Sequence, residues 1–348
     1  MKLNLQKRIN TYYDFQLKLN NLSDSNLDKL LQKSKRFDGW GINHILNFDN
    51  KKVFLKRVSL TNKEYNNQFS TKNVFDLPLC YQYGVGSAGF GAYRELLTHI
   101  KTSQWVLKGE ILNFPLMYHY RVIPKKSNND KFLKKKTSKY YLQWNKNPQI
   151  KEFIKAREDS KYELFIFLEY FPHTLRTWFD KHQGLSSHFS AQMRSISNFL
   201  IENNMIHMDA HFGNLLSDGK DLFLTDFGLL IDDSFDLSTK ERAFIKLHKN
   251  YDFSEFILCY SLTLINAYNK LKSKKVIFDC LKVNESSDNI LAILLNNLSN
   301  PVIQSQLKLD QNLIQQLMTY KETIIYMNDF FTSLTNDNQK KIKYDLNH

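Results

Sequence analysis

The chain has 348 residues, 42% of them hydrophobic and 14% aromatic, which is enough to fill sizeable cores and excludes a disordered or fibrous protein. A formal charge of +13 favours an anionic partner without choosing among nucleic acid, membrane, polyphosphate and acidic protein. Cys80, Cys259 and Cys280 are too few and too scattered for a disulfide framework or a zinc spacing, and no run of about 18 apolar residues occurs, so a soluble, cytoplasmic protein with no transmembrane segment is expected.

Residues 1–33 carry Leu, Tyr and Phe at loose helical spacing and read as an N-terminal helical extension. From residue 34 the pattern changes to strands, Arg36 to Ile42, His44 to Phe48 and Lys52 to Val58, a three-stranded antiparallel meander with Gly39-Trp40-Gly41 near its first junction. Thr61-Asn-Lys-Glu64 then has the form of a capping box. Gly84-Val-Gly86-Ser-Ala-Gly89 matches G-x-G-x-x-G, with Glu110 placed as a ribose acid would be. No alternating βαβ units follow, so the segment is read as a flexible approach to the next helix rather than a dinucleotide site. That helix, Phe90 to about Leu107, puts Tyr93, Leu96, Leu97 and Ile100 on one face and Glu95 nearly opposite.

Phe114 to Val122 and Glu163 to Leu168 read as further strands. An insertion at about 124–150 crowds Lys125, Lys126, Lys131, Lys134, Lys135, Lys136 and Lys139. It is either a solvated, self-repelling loop or a docking site for a polyanion or acidic partner, with Tyr140, Tyr141 and Trp144 available for stacking. Leu175, Trp178 and Phe179 open a helical region, Phe189, Met193, Ile196, Phe199 and Leu200 recur at helical spacing, and the chain from Tyr251 onward reads as all helix.

The segment with the most chemistry is His207-Met-Asp209-Ala-His211-Phe-Gly-Asn214, followed twelve residues after its Asn by Asp226-Phe227-Gly228. Two short apolar runs, Asn214 to Leu216 and Leu222 to Leu224, flank Ser217-Asp-Gly-Lys220, a hairpin signal that brings Asn214 beside Asp226. Asp, Asn and Asp supply one oxygen base and two oxygen ligands, the set needed to accept a hydroxyl proton and hold Mg²⁺ on ATP.

Helix, H-x-D-x-x-x-x-N loop, hairpin and D-F-G together resemble the catalytic core of the protein-kinase-like superfamily, over about residues 34–233. The resemblance implies an α+β, two-lobed fold, with an antiparallel-sheet N-lobe over 34–169 and a mainly helical C-lobe over 170–348. It implies ATP and Mg²⁺ as cofactors, Asp209 as the base, and Asn214 and Asp226 as metal ligands. Lys56, in Val53-Phe-Leu-Lys56-Arg-Val58, takes the phosphate-gripping position, and Glu95 is its expected ion-pair partner ahead of Glu64, whose capping box gives it a local role. Gly39 and Gly41 stand where a phosphate-covering loop belongs, although His44 replaces its third glycine and a plain turn is the alternative. Backbone groups of Glu169, Tyr170 and Phe171 fall where adenine would be contacted.

His207 is expected to pack, and a zinc reading of His207 and His211 lacks a third ligand. His211 is similar to the aminoglycoside and choline kinase branch, where Ser/Thr protein kinases carry Lys. Met208 replaces the Arg that clamps a phosphorylated activation loop, and no A-P-E follows Asp233, so the peptide-docking platform is missing or rebuilt. The expected function is an ATP-dependent kinase acting on a hydroxyl, with a protein acceptor of atypical Ser/Thr type favoured. The alternatives are a small-molecule kinase and a nucleotide-binding recruitment module without turnover.

Overall fold

In the computed structural model, which describes residues 2–39, 41–48, 50–126, 140–182, 187–281, 289–337 and 343–345, the expected meander forms as β1 (Lys35–Asp38), β2 (Ile42–Phe48) and β3 (Lys51–Leu60). β1 is shorter than its sequence suggests. The Gly39 N–H bonds to Gly41 O at 2.9 Å and turns the chain there. A Cβ on Gly41 would lie 2.5 Å from Arg57 O, so only glycine lets the turn approach β3 this closely.

β4 (Met117–Pro124) and β5 (Tyr162–Glu169) complete a five-stranded antiparallel sheet in the order β1-β2-β3-β5-β4. Period-two alternation gives the sheet two faces. Val58 and Leu60, with Leu164, Ile166 and Leu168 of β5, pack on Ala92, Tyr93 and Leu96 of α4 (Ala92–Lys108). Lys56 belongs to this same face by parity. Val53 and Leu55 join the opposite cluster, with Phe15 and Leu19 of α1 (Lys2–Asn20) and Leu27 of α2 (Asp24–Lys33). Burying each such side chain contributes roughly 1.5–3 kcal/mol, so the N-terminal helices are part of the fold rather than an appendage. Arg8 of α1 is nearly buried and ties Leu112 O, Phe114 O and the Glu169 carboxylate together at 2.6–3.2 Å.

Two aromatic residues of the lysine-rich insertion are not stacking platforms. Tyr140 and Trp144 are buried, with Trp144 edge-on to Tyr81 at 4.8 Å. Residues 127–139, which carry five of the seven lysines named above, lie outside the described residues; Lys126 pairs with Asp28. A helix that periodicity did not announce, Pro148–Glu158, follows, started by Asn147 capping Ile150 N–H and Pro148 at its first position.

The rest is mainly helical. Helix Ser187–Glu202 buries Phe189, Met193, Ile196 and Leu200, as its spacing predicts, and ends beside Met205–Ile206. Leu215–Ser217 and Leu222–Leu224 pair as the expected hairpin, with Gly219 at φ +95° in its turn. From Tyr251 every described regular element is a helix, the longest being Tyr251–Asn269. Among the described residues no helix is long and apolar enough to cross a membrane.

Candidate active site

The sheet half and the helical half meet around Lys56. Its Nζ is 2.7 Å from Asp226 Oδ1 and also pairs with Glu95 Oε1. Glu95 lies away from the apolar stripe of α4, yet it is not solvated. That side of the helix packs on the Phe227–Leu229 turn, through His99 and Phe227 at 4.6 Å, and leaves the Glu95 side chain 5% exposed. Glu64 caps locally as expected, bonding Thr61, and also accepts the Ala92 N–H at 2.7 Å, so it holds the start of α4 instead of Lys56.

The charges are interdependent. Burial lowers the Lys56 pKa, but Asp226 and Glu95 together drive it above its ordinary value. Asp226 is half exposed, inside the cleft; enclosure there raises its pKa and the Lys56 charge outweighs this, leaving it at about 2. Burial raises Glu95 despite Lys56, and takes His99 down to about 3, so His99 is a neutral packing group beneath the pair.

Asp209 sits on the loop between Met205–Ile206 and the hairpin. Asn214 Nδ2 donates to Asp209 O at 2.9 Å and to Asp209 Oδ2 at 2.7 Å. With both amide hydrogens spent, Asn214 Oδ1 is left as a ligand atom, and Asn214 and Asp226 line the same cavity. Two hard oxygen donors beside an enclosed cleft suit Mg²⁺. Among the described residues no three His, Cys, Asp or Glu side chains come together as a metal site.

The two histidines of the loop separate by role. His207 is buried, donates from Nε2 to Thr225 O at 2.9 Å and packs edge-on to Phe227; burial lowers it to about 4. His211 Nδ1 accepts the Gly213 N–H at 2.9 Å, which places its proton on Nε2, 3.7 Å from Asp209 Oδ1. Burial and then the Arg176 charge lower the His211 pKa, so a neutral imidazole faces Asp209.

Asp209 Oδ1 is shut from solvent and has no hydrogen-bond partner among the described residues. Burial and then the Asp226 charge raise the Asp209 pKa to about 8. What covers it is the segment read above as a flexible approach, and that reading is corrected. A Cβ on Gly84 would stand 2.1 Å from Asp209 Oδ1 and one on Gly89 2.9 Å from Gly228 O, while Phe90 N–H bonds Gly228 O at 3.0 Å. Ser87, Tyr81 and Gln82 pin the segment further, bonding Tyr83 O, Ala88 N–H and Leu229 O.

Two cavities share the walls Asn43, Lys56 and Asp226. The larger, about 490 Å³, is lined by Ile45, Phe54, Leu168, Tyr170, Phe171 and Leu216, a mainly apolar slot on the linker side. The smaller, about 170 Å³, is lined by Gly39, Gly41, Gly89, Gly91, Asp209 and Gly228. Of the linker residues, Tyr170 and Phe171 line the larger cavity, with the Phe171 ring against Phe223 at 4.0 Å and the Lys52 ammonium over the Tyr170 ring. Glu169 lines it too, but its carboxylate is committed to Arg8 and Leu116 N–H and its own N–H to Leu116 O, which removes it as an adenine donor.

Sequence reasoning missed the loop's anchors. Asp252 accepts the His207 and Met208 N–H groups at 2.7 and 2.9 Å, and Glu255 accepts that of Ala210 at 2.6 Å. Their four-residue-turn environment in a long apolar helix carried no motif that points back to the loop. The chain matches no family model and no curated protein.

Proposed function

We propose that the protein is an ATP- and Mg²⁺-dependent phosphotransferase with a two-lobed, protein-kinase-like architecture, transferring the γ-phosphoryl group to a hydroxyl. The observation that carries this reading is Lys56 held between Glu95 and Asp226 where an apolar slot opens into a small glycine-walled cavity with Asp209 at its edge. The slot suits a nucleoside and the small cavity its phosphates. Bound Mg²⁺ would rest on Asp226 and Asn214 and supply charge neutralisation of the phosphates. Lys56 neutralises phosphate oxygen charge, Glu95 aims Lys56, and Asp209, fixed by Asn214, orients the acceptor hydroxyl and takes its proton. Positioning and electrostatics carry most of phosphoryl transfer, so these groups suffice without a covalent intermediate.

A protein hydroxyl is the favoured acceptor, given the basic surface. A small-molecule acceptor is the second reading, supported by one observation: Gly84 covers Asp209 and leaves its side chain 19% exposed, little room for an extended peptide. Purified protein with Mg²⁺ and labelled ATP, with and without lysate, beside Asp209→Ala, tests both. Label on protein bands with the native chain alone supports the first, turnover only with added small alcohols or aminoglycosides supports the second, and binding without turnover leaves a recruitment module.

A further inference from the structure

A further cavity, about 420 Å³, lies against the His207–Asn214 loop and has no part in the mechanism above. It opens between helices Leu175–His182, Tyr251–Asn269 and Gln311–Thr319, and Phe212 of the loop forms part of its wall. Phe179, Leu262 and Leu313 add apolar lining, with Leu262 43% exposed. The charged lining is mostly of one sign. Arg176, Lys270 and Lys308 are exposed there, and none of them makes an ion pair among the described residues. Asp310, on the same wall, is committed to capping the next helix, its Oδ1 accepting the Asn312 and Leu313 N–H groups. Burial lifts Glu255, beneath the loop, well above the usual carboxylate range, so it offsets little of the positive charge.

Lys270 and Lys308 each follow a helix C-terminus, where the dipole favours a cation, but that local benefit does not bring them to one cavity with Arg176. Three cations around a partly apolar hollow concentrate the field inside it and favour a small anion. Its place beside the loop gives such a ligand a role. Arg176 N–H bonds Phe212 O at 3.1 Å, and their chain neighbours Thr177 and Gly213 line the 490 Å³ slot. The two cavities therefore flank the same turn of chain, one toward Ile45 and Phe54 of the sheet, the other toward helix Tyr251–Asn269. The Arg176 charge also reaches His211, whose Nε2 is 3.7 Å from Asp209 Oδ1.

We infer that this cavity binds a small hydroxylated anion, its phosphate or carboxylate held by Arg176, Lys270 and Lys308, and presents the ligand's hydroxyl to Asp209 as the phosphoryl acceptor. The acceptor role deepens the small-molecule reading of the proposed function and rests on it, whereas binding of the anion does not. In the transfer, the ligand's hydroxyl oxygen bonds to the γ-phosphorus of ATP as the bond from that phosphorus to the β–γ bridging oxygen breaks. ADP leaves with the electron pair, and Asp209 takes the hydroxyl proton. The Arg176 guanidinium presents a planar fork to phosphate or carboxylate oxygens, and the same three charges repel cationic amino sugars.

The test is calorimetric titration of the full chain with glucose 6-phosphate, gluconate, glucose and glucosamine, using the native protein, the double variant Arg176→Gln, Lys270→Gln and the variant Lys56→Met, with melting temperatures alongside. At least one of the two anions should bind about tenfold or more tighter than glucose and glucosamine, and which one tells phosphate from carboxylate. The double variant should lose about tenfold or more of that affinity, and Lys56→Met less than about twofold. The inference is overturned if neither anion binds better than glucose, or if a folded double variant binds as the native chain does. An equal loss in Lys56→Met places the anion in the small cavity beside Lys56 and also overturns it. Should the double variant not fold, Lys308→Gln decides: a loss of about threefold or more supports the inference, and equal affinity overturns it. ADP formation from Mg²⁺-ATP that requires the anion and falls in the double variant supports the acceptor role. Turnover with glucosamine or label on protein alone keeps the proposed function and overturns the inference. No turnover with any acceptor, while anion binding persists, strikes the proposed function and leaves the anion site standing.

Discussion

Asp252 fixes the backbone of Met208. Its Oδ1 takes the Met208 N–H at 2.9 Å while Oδ2 takes that of His207, and Met208 is held at φ +66°, a conformation that costs a residue with a Cβ roughly 1–3 kcal/mol. Both donors are buried, so Asp252→Ala leaves two N–H groups without acceptors. The expected loss of unfolding free energy is about 2–5 kcal/mol, with Asp252→Asn, which keeps one acceptor oxygen, near half of it. Urea denaturation measures both, and a loss below about 1 kcal/mol for Ala would show that the loop holds itself.

Asp252 and Glu255 lie beneath that loop and Asp209 on it, close enough for their charges to interact. Burial lifts Asp252 to about 6, burial and then the Asp226 charge lift Asp209 to about 8, and burial and then the Asp209 charge lift Glu255. Folded values above unfolded ones mean stability that is whole below about pH 4 and lost as pH rises through the folded values. Buried histidines with lowered values, His99, His207 and His248 among them, act in the opposite sense, but only below their unfolded value of about 6.5. The metal-free protein should therefore melt at lower temperature at about pH 8.5 than at about 6.5, and Asp209→Asn should flatten that slope. A melting temperature that climbs over this interval contradicts the buried-carboxylate account.

The parts legible in the sequence were those whose partners are close along the chain. Asp209 and Asn214 share one loop, the Asp218-Gly219 hairpin delivers Asp226, and the meander forms around Lys56; turn chemistry and period give these placements, while the choice of Lys56 and Glu95 came from the resemblance. The unread parts depend on long-range packing. β5 inserting between β3 and β4, Asp252 and Glu255 reaching back to the loop, and Arg157 reaching Ala88 leave no periodic trace. Gly84 to Gly89 was visible but misplaced, because glycine spacing states what backbone is allowed and not what it touches. Tyr140 and Trp144 were misread for the same reason: aromatic residues beside lysines look exposed until Tyr81 and Phe153 are seen packing against that cluster.

Lys56 holds two carboxylates together, and in the proposed function it also grips phosphate; the two roles are separable. Lys56→Met removes the cation from between two carboxylates and should cost about 1–3 kcal/mol, moderated because Glu95, already raised by burial, takes up a proton. The double variant Lys56→Met, Glu95→Gln removes the orphaned charge and should regain most of that stability while phosphotransfer stays lost. Denaturation and the Mg²⁺-ATP assay read the two quantities independently. A double variant that regained transfer would remove Lys56 from the mechanism.

α4 is clamped to the chain after D-F-G by two ion pairs, Arg94–Glu241 at 2.8 Å with both partners nearly buried, and Lys101–Asp232 at 2.7 Å. Arg94 also donates to Thr71 O at 2.6 Å. Glu241→Ala strands a buried guanidinium, for which a cost of about 3–5 kcal/mol is expected. Since Glu95 follows Arg94 on the same helix, transfer should fall with it, whereas Lys101→Ala removes a side chain that is 32% exposed and leaves the buried Asp232 with Ser234 as donor, so a smaller cost of about 1–3 kcal/mol is expected. Equal effects from the two variants would mean that the clamp acts as a whole and not through Arg94.

Gly84 offers the sharpest test of how the glycine-rich segment meets Asp209, the proposed base. Its φ is not positive, so alanine is acceptable to the backbone and the substitution is a purely steric probe; the new methyl would stand 2.1 Å from Asp209 Oδ1 and 3.0 Å from its Cγ. Asp209 is also tethered through Oδ2 to Asn214, so relief means either rotating the carboxylate off that bond or lifting the segment. Rotation misplaces the acceptor proton by about an ångström, for which a drop in kcat of about 10²-fold is expected, with KM for ATP little changed because Lys56 and Asp226 lie outside the clash. Steady-state kinetics on Gly84→Ala, with a melting curve to confirm the fold, separates the two responses. Native kcat in a folded variant would mean that the segment rises from Asp209 during turnover, and the cover seen over the base would then be a resting position, not part of the working site.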